Sequence, residues 1–311
     1  MTRGEQREES CSRIHVAVAA DERYSEIAGA VIVSVLKKTR NRPICFHILE
    51  SGFRQKSRDR ISSLKKQFPN GEFLFYPVSD TSMFDGLKMP DYISRAATLR
   101  LFLPELLEDI DKVLYLDCDT IVCRDIGEIW YTPLENVWVA GVLDCSKSLT
   151  KHCDVLGLRA EHYFNSGVLL MNLGEMRRTD YLKTFSDVIR NYADKITMAD
   201  QDLLNLAAQG RYRQLPIRWN LHRGYLIHQM PWTDKAELAE ALRMPGIVHF
   251  TGSRKPWQWS LKYPRHIFWQ EWFLAAKGTT FAQPVLFLFK RFLALFWRKR
   301  RPVFPGAPGG A

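Results

Sequence analysis

Val113-Leu114-Tyr115-Leu116-Asp117-Cys118-Asp119-Thr120 decides the reading of this chain. Four β-branched, aliphatic or aromatic residues without a breaker predict a buried strand. The strand ends in two carboxylates one residue apart. In an open α/β sheet, ligands collect at the carboxyl ends of strands. Two such carboxylates repel unless a cation lies between them or one takes a proton. A divalent metal site is the economical reading, and a strand-end turn with solvated Asp side chains is the plain alternative.

Outward from this stretch, strand and helix patterns alternate. Residues 13–19, 43–49, 73–76, 138–143 and 167–172 read as strands, and 27–37, 55–67, 93–107, 181–192 and 201–209 as helices, the helix at 93–107 in spite of Pro104. This rhythm predicts a mostly parallel sheet covered by helices on both faces. A chain of 311 residues, 46% of them hydrophobic, is long enough to bury such a core.

The first βα turn carries no Gly-x-Gly-x-x-Gly. It reads Ala19-Ala20-Asp21-Glu22-Arg23-Tyr24. A Rossmann dehydrogenase or P-loop enzyme needs glycines there for backbone contact with phosphates. An Asp and a Tyr suit a base instead, the carboxylate accepting from a ring N–H and the phenol ring stacking. Far downstream, Ile247-Val248-His249-Phe250-Thr251-Gly252-Ser253-Arg254-Lys255-Pro256-Trp257 delivers a histidine from a short strand. Gly252 permits close backbone approach to a ligand, and Lys255 brings a positive charge. If His249 meets Asp117 and Asp119, one imidazole nitrogen plus carboxylate oxygens suits Mn²⁺, with Mg²⁺ a poorer match.

Five segments appear in order: Ala19-Ala20-Asp21 with Tyr24; Leu116-Asp117-Cys118-Asp119; Phe164-Asn165-Ser166-Gly167-Val168-Leu169-Leu170-Met171-Asn172; Asp200-Gln201-Asp202-Leu203-Leu204-Asn205; and His249 through Trp257. Together they resemble the family 8 glycosyltransferases. They are most similar to bacterial retaining α-galactosyl- and α-glucosyltransferases that extend lipo-oligosaccharide. The resemblance implies an α/β GT-A fold, Rossmann-like, with a mixed, mostly parallel sheet. It implies a UDP-hexose donor, a saccharide or glycolipid acceptor, and Mn²⁺ (or Mg²⁺) held by Asp117, Asp119 and His249. Asp21 and Tyr24 match the uracil contacts, with Ala19 against the base. Gly252 and Lys255 match the pyrophosphate contacts, and Cys118 lies between the two metal ligands. Arg100, Asp144, Asn165, Asp200 and Gln201 match the positions that hold the donor sugar. Arg23 departs from the Asn frequent among relatives. Gln201 is the family-matched catalytic residue, with Asp200 or Asp202 as a stand-in nucleophile. The loops at 145–163 and 221–232 are assigned to the acceptor.

The formal net charge is +10. Lys290, Arg291, Arg298, Lys299, Arg300 and Arg301 interleave with two Phe/Leu/Trp runs too short to span a bilayer. This pattern fits an interfacial helix on an anionic membrane surface, or a terminal helix docked on its own core. Nucleic acid has no need of so much aliphatic surface. The expected organisation is a polar extension at 1–12, a catalytic domain at 13–280, a basic amphipathic membrane-attachment segment at 281–301 and a Pro/Gly-rich tail at 302–311. Six cysteines without a CxxC pair suit a reducing compartment. With no apolar h-region near Met1, the expected location is cytoplasmic, on the inner face of the cell membrane. Two rival readings are a haloacid-dehalogenase-like phosphatase, which lacks its Gly-Asp or Asp-Asp pair here, and a non-catalytic membrane-surface binding protein.

Overall fold

A computed structural model describes residues 13–78, 95–228, 230–252 and 255. The expected extension at 1–12, the basic segment at 281–301 and the tail at 302–311 lie outside them. Seven strands form the main sheet: β1 (Ile14–Asp21), β2 (Ile44–Ser51), β3 (Gly71–Pro77), β4 (Lys112–Leu116), β6 (Val139–Leu143), β7 (Phe164–Asn172) and β8 (Tyr212–Gln214). Their order is β3-β2-β1-β4-β7-β6-β8, and three short strands, β5 (Thr120–Val122), β9 (Leu221–His222) and β10 (Ile247–His249), form a second sheet in the order β5-β10-β9. Only β7 runs against its neighbours in the main sheet, so the predicted mostly parallel arrangement is observed.

The central strands are largely apolar along both faces because both are covered. Val16, Val18, Ile44, Phe46, Ile48, Leu114, Leu116, Val168 and Leu170 pack on one face. Ala17, Ala19, Val113, Tyr115, Leu169 and Met171 pack on the other. Each fully buried Val, Leu, Ile or Phe contributes roughly 1.5–3 kcal/mol. The helix Ser25–Lys38 covers the first face, where residues from Ala28 to Leu36 are all buried.

Two topological facts position the site. Strand order reverses between β1 and β4, and the gap beyond their carboxyl ends is the place where open α/β sheets bind ligands. Asp21 ends β1, and Asp117 follows the last residue of β4. The second sheet then returns a distant segment to this point: His249 pairs with Thr120 on one side and His222 on the other.

Helix boundaries are less regular than the periodicity predicts. The segment expected at 93–107 is a 3₁₀ helix, Arg95–Phe102, followed by one α turn, Leu103–Leu106. Pro104 sits in the first turn of that α segment, where its missing N–H costs nothing, so it separates two helix types without breaking the segment. The helix from Gln55 likewise stays α only to Ser63 and then tightens to 3₁₀. The helix Asp200–Ala207 begins one residue earlier than expected. Its preceding residue, Ala199, has φ 48° and ψ −120°, a conformation suited to glycine. Asp202 holds it there: one carboxylate oxygen accepts from the N–H groups of Thr197 (2.8 Å) and Met198 (2.7 Å).

Strain of this kind costs about 1–3 kcal/mol. A glycine releases it at an unfolded-state entropy cost of roughly 0.4–1 kcal/mol. Ala199→Gly is therefore expected to stabilise the fold by about 1 kcal/mol, read from the urea midpoint at unchanged m-value. A lower midpoint would mean that Ala199 is not strained.

Candidate active site

Asp117, Cys118 and Asp119 leave β4 in a tight turn. Thr120 closes it, donating to the Asp117 carbonyl from both its N–H (3.1 Å) and its hydroxyl (2.8 Å). The middle residue turns back: the Cys118 thiol donates to the Ala19 carbonyl at 3.0 Å. The two flanking carboxylates therefore point the other way, out of the sheet. His249 Nε2 lies 3.1 Å from Asp119 and 3.7 Å from Asp117. One ligand atom from each of the three falls within 4.8 Å of the others.

A chain of hydrogen bonds fixes which imidazole nitrogen faces the carboxylates. The backbone N–H of Gly167 can only donate, so the Asn165 atom that it reaches at 3.0 Å is the carbonyl oxygen. Asn220 must then donate its amide to that oxygen (2.8 Å). Its own oxygen is left to accept from His249 Nδ1 at 3.0 Å. His249 thus spends its Nδ1 proton on Asn220 and can present the Nε2 lone pair to a cation, the usual support of a metal-bound imidazole. Gly167 is obligatory here. A Cβ would lie 2.1 Å from His249 Cε1 and 2.7 Å from Asp117 Oδ2.

Burial would raise the Asp119 carboxyl, but His249 and Lys255 hold it well below the usual carboxylate range. Lys255 Nζ contacts Asp119 and donates to the Phe250 carbonyl at 3.0 Å. Asp119 thus lies between the His249 imidazole and the Lys255 ammonium.

Arg100 is the other organiser. Only 2% exposed, it pairs with Asp117 at 2.8 Å and with Asp200 at 3.0 Å, donates to the carbonyls of Ala97 and Ser166, and stacks on Tyr115. The Tyr115 hydroxyl donates to the same Asp117 oxygen at 2.9 Å. Burial opposes the charge on Arg100, and Asp117 and Asp200 more than restore it. Burial also pushes the Asp200 carboxyl up to about 6, against the pull of Arg100.

Gln201 is held at both ends of its amide. Its oxygen accepts from the Ser166 N–H (3.0 Å) and from Asn165 (3.2 Å), and its nitrogen donates to Asp144 (2.9 Å). Asn165 reaches the same Asp144 oxygen at 3.0 Å. Asp202 is fully engaged: besides the two backbone donors already described, it binds the Tyr163 hydroxyl and His152, both at 2.6 Å.

On the β1 side, Asp21 caps the turn by accepting from the Tyr24 N–H at 3.1 Å, and Arg23 pairs with its second oxygen at 3.0 Å. Gly252 has φ +84° and open space at its missing Cβ. One cavity of about 380 Å³ is lined by Ala19, Asp21, Tyr24, Arg100, Asp117, Cys118, Asp119, Asp144, Asn165, Asp200, Gln201, His249, Gly252 and Lys255, so every cavity residue expected from the sequence is brought to it. Asp202 does not line it, which separates it from Asp200 as a group able to reach a substrate. Tyr115, Ser166, Gly167, Met198, His222 and Thr251 also line the cavity. Ser166 and Gly167 were quoted in a motif without a role, and Tyr115 was read only as strand. Asn220, which orients His249, precedes the 221–232 loop and carries no local signal.

The sequence profile described as glycosyl transferase family 8 matches residues 15–260. General stress protein A of Bacillus subtilis (strain 168) is 26% identical over 282 residues, covering 88% of this chain and 97% of that protein. Lipopolysaccharide 1,2-glucosyltransferase of Escherichia coli (strain K12) is 25% identical over 268 residues, covering 81% and 75%. Among solved structures, the galactosyltransferase LgtC in complex with donor and acceptor sugar analogs superposes with a TM-score of 0.76 at 27% identity, over 86% of this chain and 96% of that one. An active-site mutant of LgtC with glutamine changed to glutamate gives 0.75 at 26% identity, over the same shares. The phosphatase and non-catalytic readings fall with these matches: the chain belongs to glycosyl transferase family 8, has the GT-A fold, and is a UDP-sugar-dependent hexosyltransferase.

Proposed function

We propose that this enzyme moves galactose or glucose from UDP to a saccharide acceptor of the lipopolysaccharide or lipo-oligosaccharide type, with retention of anomeric configuration. The observation that carries the reading is the convergence of Asp117, Asp119, His249 and Lys255 with the Arg100–Asp200 pair and Gln201 around one cavity. The names of the relatives, a lipopolysaccharide glucosyltransferase and a galactosyltransferase, support the substrate class.

The metal site passes a test of fit. It offers two carboxylates and an imidazole whose Nδ1 is already committed to Asn220, with a glycine where a side chain would intrude. Asp117, Asp119 and His249 would hold the cation, and the nitrogen donor favours Mn²⁺ over Mg²⁺. When bound, such a cation supplies Lewis-acid stabilisation to the diphosphate.

The remaining work falls to side chains. Tyr24 stacks on uracil, Asp21 accepts its ring N–H, and Ala19 lies against the base. Arg23, which shares the Asp21 carboxylate, tempers that contact. Gly252 and Lys255 meet the diphosphate, and Lys255 stabilises the charge that grows as the sugar–phosphate bond breaks. Arg100, Asp144, Asn165, Asp200 and Gln201 surround the hexose. The Gln201 amide, its oxygen already accepting from Ser166 and Asn165, is a poor nucleophile. The acceptor hydroxyl therefore attacks from the face that UDP leaves and gives its proton to the departing phosphate oxygen. Gln201 steadies the oxocarbenium-like centre. LgtC, which shares this fold, likewise has a glutamine in its active site.

We assign residues 13–280 to catalysis and 281–301 to attachment at the cytoplasmic face of an anionic membrane. Among the described residues no helix is long and apolar enough to cross one. Composition alone supports this assignment.

Three outcomes are expected. Asp117→Ala, Asp119→Ala and His249→Ala each remove Mn²⁺-dependent UDP binding in calorimetric titration while circular dichroism is unchanged; persistence of that binding would refute the site. Gln201→Ala keeps retained-configuration product at a rate lower by roughly a hundred- to thousand-fold, the loss of about 2–4 kcal/mol of transition-state stabilisation. A glycosyl adduct on Asp200 in the intact mass spectrum would replace front-face transfer by double displacement. Truncation after Lys277 abolishes sedimentation with anionic liposomes and spares donor hydrolysis; equal pelleting of both proteins would show that the tail is not the anchor.

A further inference from the structure

The strands that carry the active site at one end hold a second group of donors at the other. His15 on β1 lies in register with Cys45 on β2, and Ala17 with His47. The alternation of side chains along a strand turns His15, Cys45 and His47 to one face. They are 8%, 2% and 0% exposed. One ligand atom from each lies within 4.8 Å of the others, the same spacing as Asp117, Asp119 and His249. His15 Nδ1 is 2.9 Å from His47 Nε2, and His47 Nδ1 is 3.0 Å from the Tyr76 hydroxyl. His15 Nε2 is buried with no hydrogen-bond partner, so the cluster has more polar capacity than it satisfies by itself.

We propose that His15, Cys45 and His47 form a second metal site, separate from the catalytic one, for a soft d¹⁰ cation, Zn²⁺ or Cu⁺. A thiolate with two imidazoles suits such ions, whereas Mn²⁺ and Mg²⁺ prefer the oxygen-rich set around Asp117. The strand rise of about 3.3 Å per residue separates His15 from Asp21 by roughly 20 Å. On binding, the Cys45 S–H bond breaks, a metal–sulfur bond forms and the proton leaves to solvent, with no change of oxidation state. The contact between the two rings is exchanged for two bonds to the ion, the His15 proton moving from Nδ1 to the unpartnered Nε2. His47 engages through Nε2 while its Nδ1–H donates to Tyr76, as metal-bound histidines commonly do.

The surroundings favour the two rings but not the thiol: burial, with Glu72 adding to it, pushes Cys45 up to about 11, so an ion must displace its proton. Burial, with Arg13 adding to it, lowers the pKa of His15 to about 4, and burial and His15 lower that of His47 to about 3. Both rings are neutral near pH 7, the form that ligates. The half-exposed Arg13–Glu72 pair lies over the cluster, with Glu72 in register with Cys45, and offers the way in. An ion here ties β1 to β2 and, through Tyr76, to the edge strand β3. The site is structural.

The full-length protein, freed of metal with chelator, is titrated with Co²⁺ as a probe. Thiolate ligation gives a sulfur-to-cobalt charge-transfer absorption that carboxylates and imidazoles cannot. The expected result is a band saturating at one equivalent in the wild type and in Asp119→Asn, and absent in Cys45→Ser. In the Asp119→Asn background, which disables the catalytic metal site, Zn²⁺ should raise the melting temperature, but not once Cys45→Ser, or His15→Gln, which keeps the thiol, is added. Metal analysis of protein purified without chelator distinguishes zinc from copper. No band in the wild type, or an undiminished band in Cys45→Ser, would overturn the proposal. Because the band does not depend on Asp119, loss of the catalytic metal site leaves this test intact.

Discussion

A single buried guanidinium underlies the active site. Arg100 sits between Asp117, from the end of β4, and Asp200, from the start of a helix 83 residues later. Neither carboxylate is affordable in this environment alone, and neither is the cation. Removing one partner from a buried ion pair typically costs about 3–5 kcal/mol, because the survivor is left uncompensated. The carbonyls of Ala97 and Ser166 and the ring of Tyr115 complete the guanidinium's surroundings, so its charge is fixed in position as well as balanced. The Asp-x-Asp turn, the Asn165-Ser166-Gly167 segment and the Gln201 helix all lean on it.

Polar groups of the cavity are ordered from the backbone outward. One amide N–H, that of Gly167, sets the orientation of Asn165, hence of Asn220, and hence the free nitrogen of His249. The same Asn165 joins Gln201 on Asp144. The His249 side and the Gln201 side of the cavity therefore belong to one hydrogen-bonded network, and a change in either half is felt by the other. Preorganisation of this kind removes rotational freedom before a substrate arrives.

Much of this was legible in the sequence, for identifiable reasons. Strands buried on both faces announce themselves as unbroken apolar runs, as Val113 to Leu116 and Gly167 to Met171 do, and carboxylates at their ends stand out against that background. The five motifs named the lining residues because each carries unusual chemistry at a fixed spacing. Reading failed where the cause was tertiary. Asn220 and Tyr115 act only through what they touch, and Arg100, matched by resemblance to the donor-sugar positions, gives no sign in sequence of the two carboxylates from distant segments that enclose it. The short strands β5 and β9 lacked periodicity of their own, since two or three residues cannot show it, whereas β10 was legible as the apolar pair Ile247-Val248 ahead of His249. The 3₁₀ geometry of Arg95–Phe102 was likewise invisible, because i,i+3 and i,i+4 spacings differ little over eight residues.

The pairing of β5 with β10 also fixes an order of events. Lys255 and Asp119 are 136 positions apart in sequence, and the Phe250 N–H must reach the Asp119 carbonyl for the small sheet to close. A chain emerging from the ribosome presents its Asp-x-Asp turn long before it presents His249. With domains tending to fold from the N-terminus during synthesis, the β1–β4 layer has its core residues available while the nucleotide end is still missing a wall. His249 and Lys255, translated long after the Asp-x-Asp turn, complete the pocket, so a polypeptide that stops short of them lacks the parts needed to spend activated sugar.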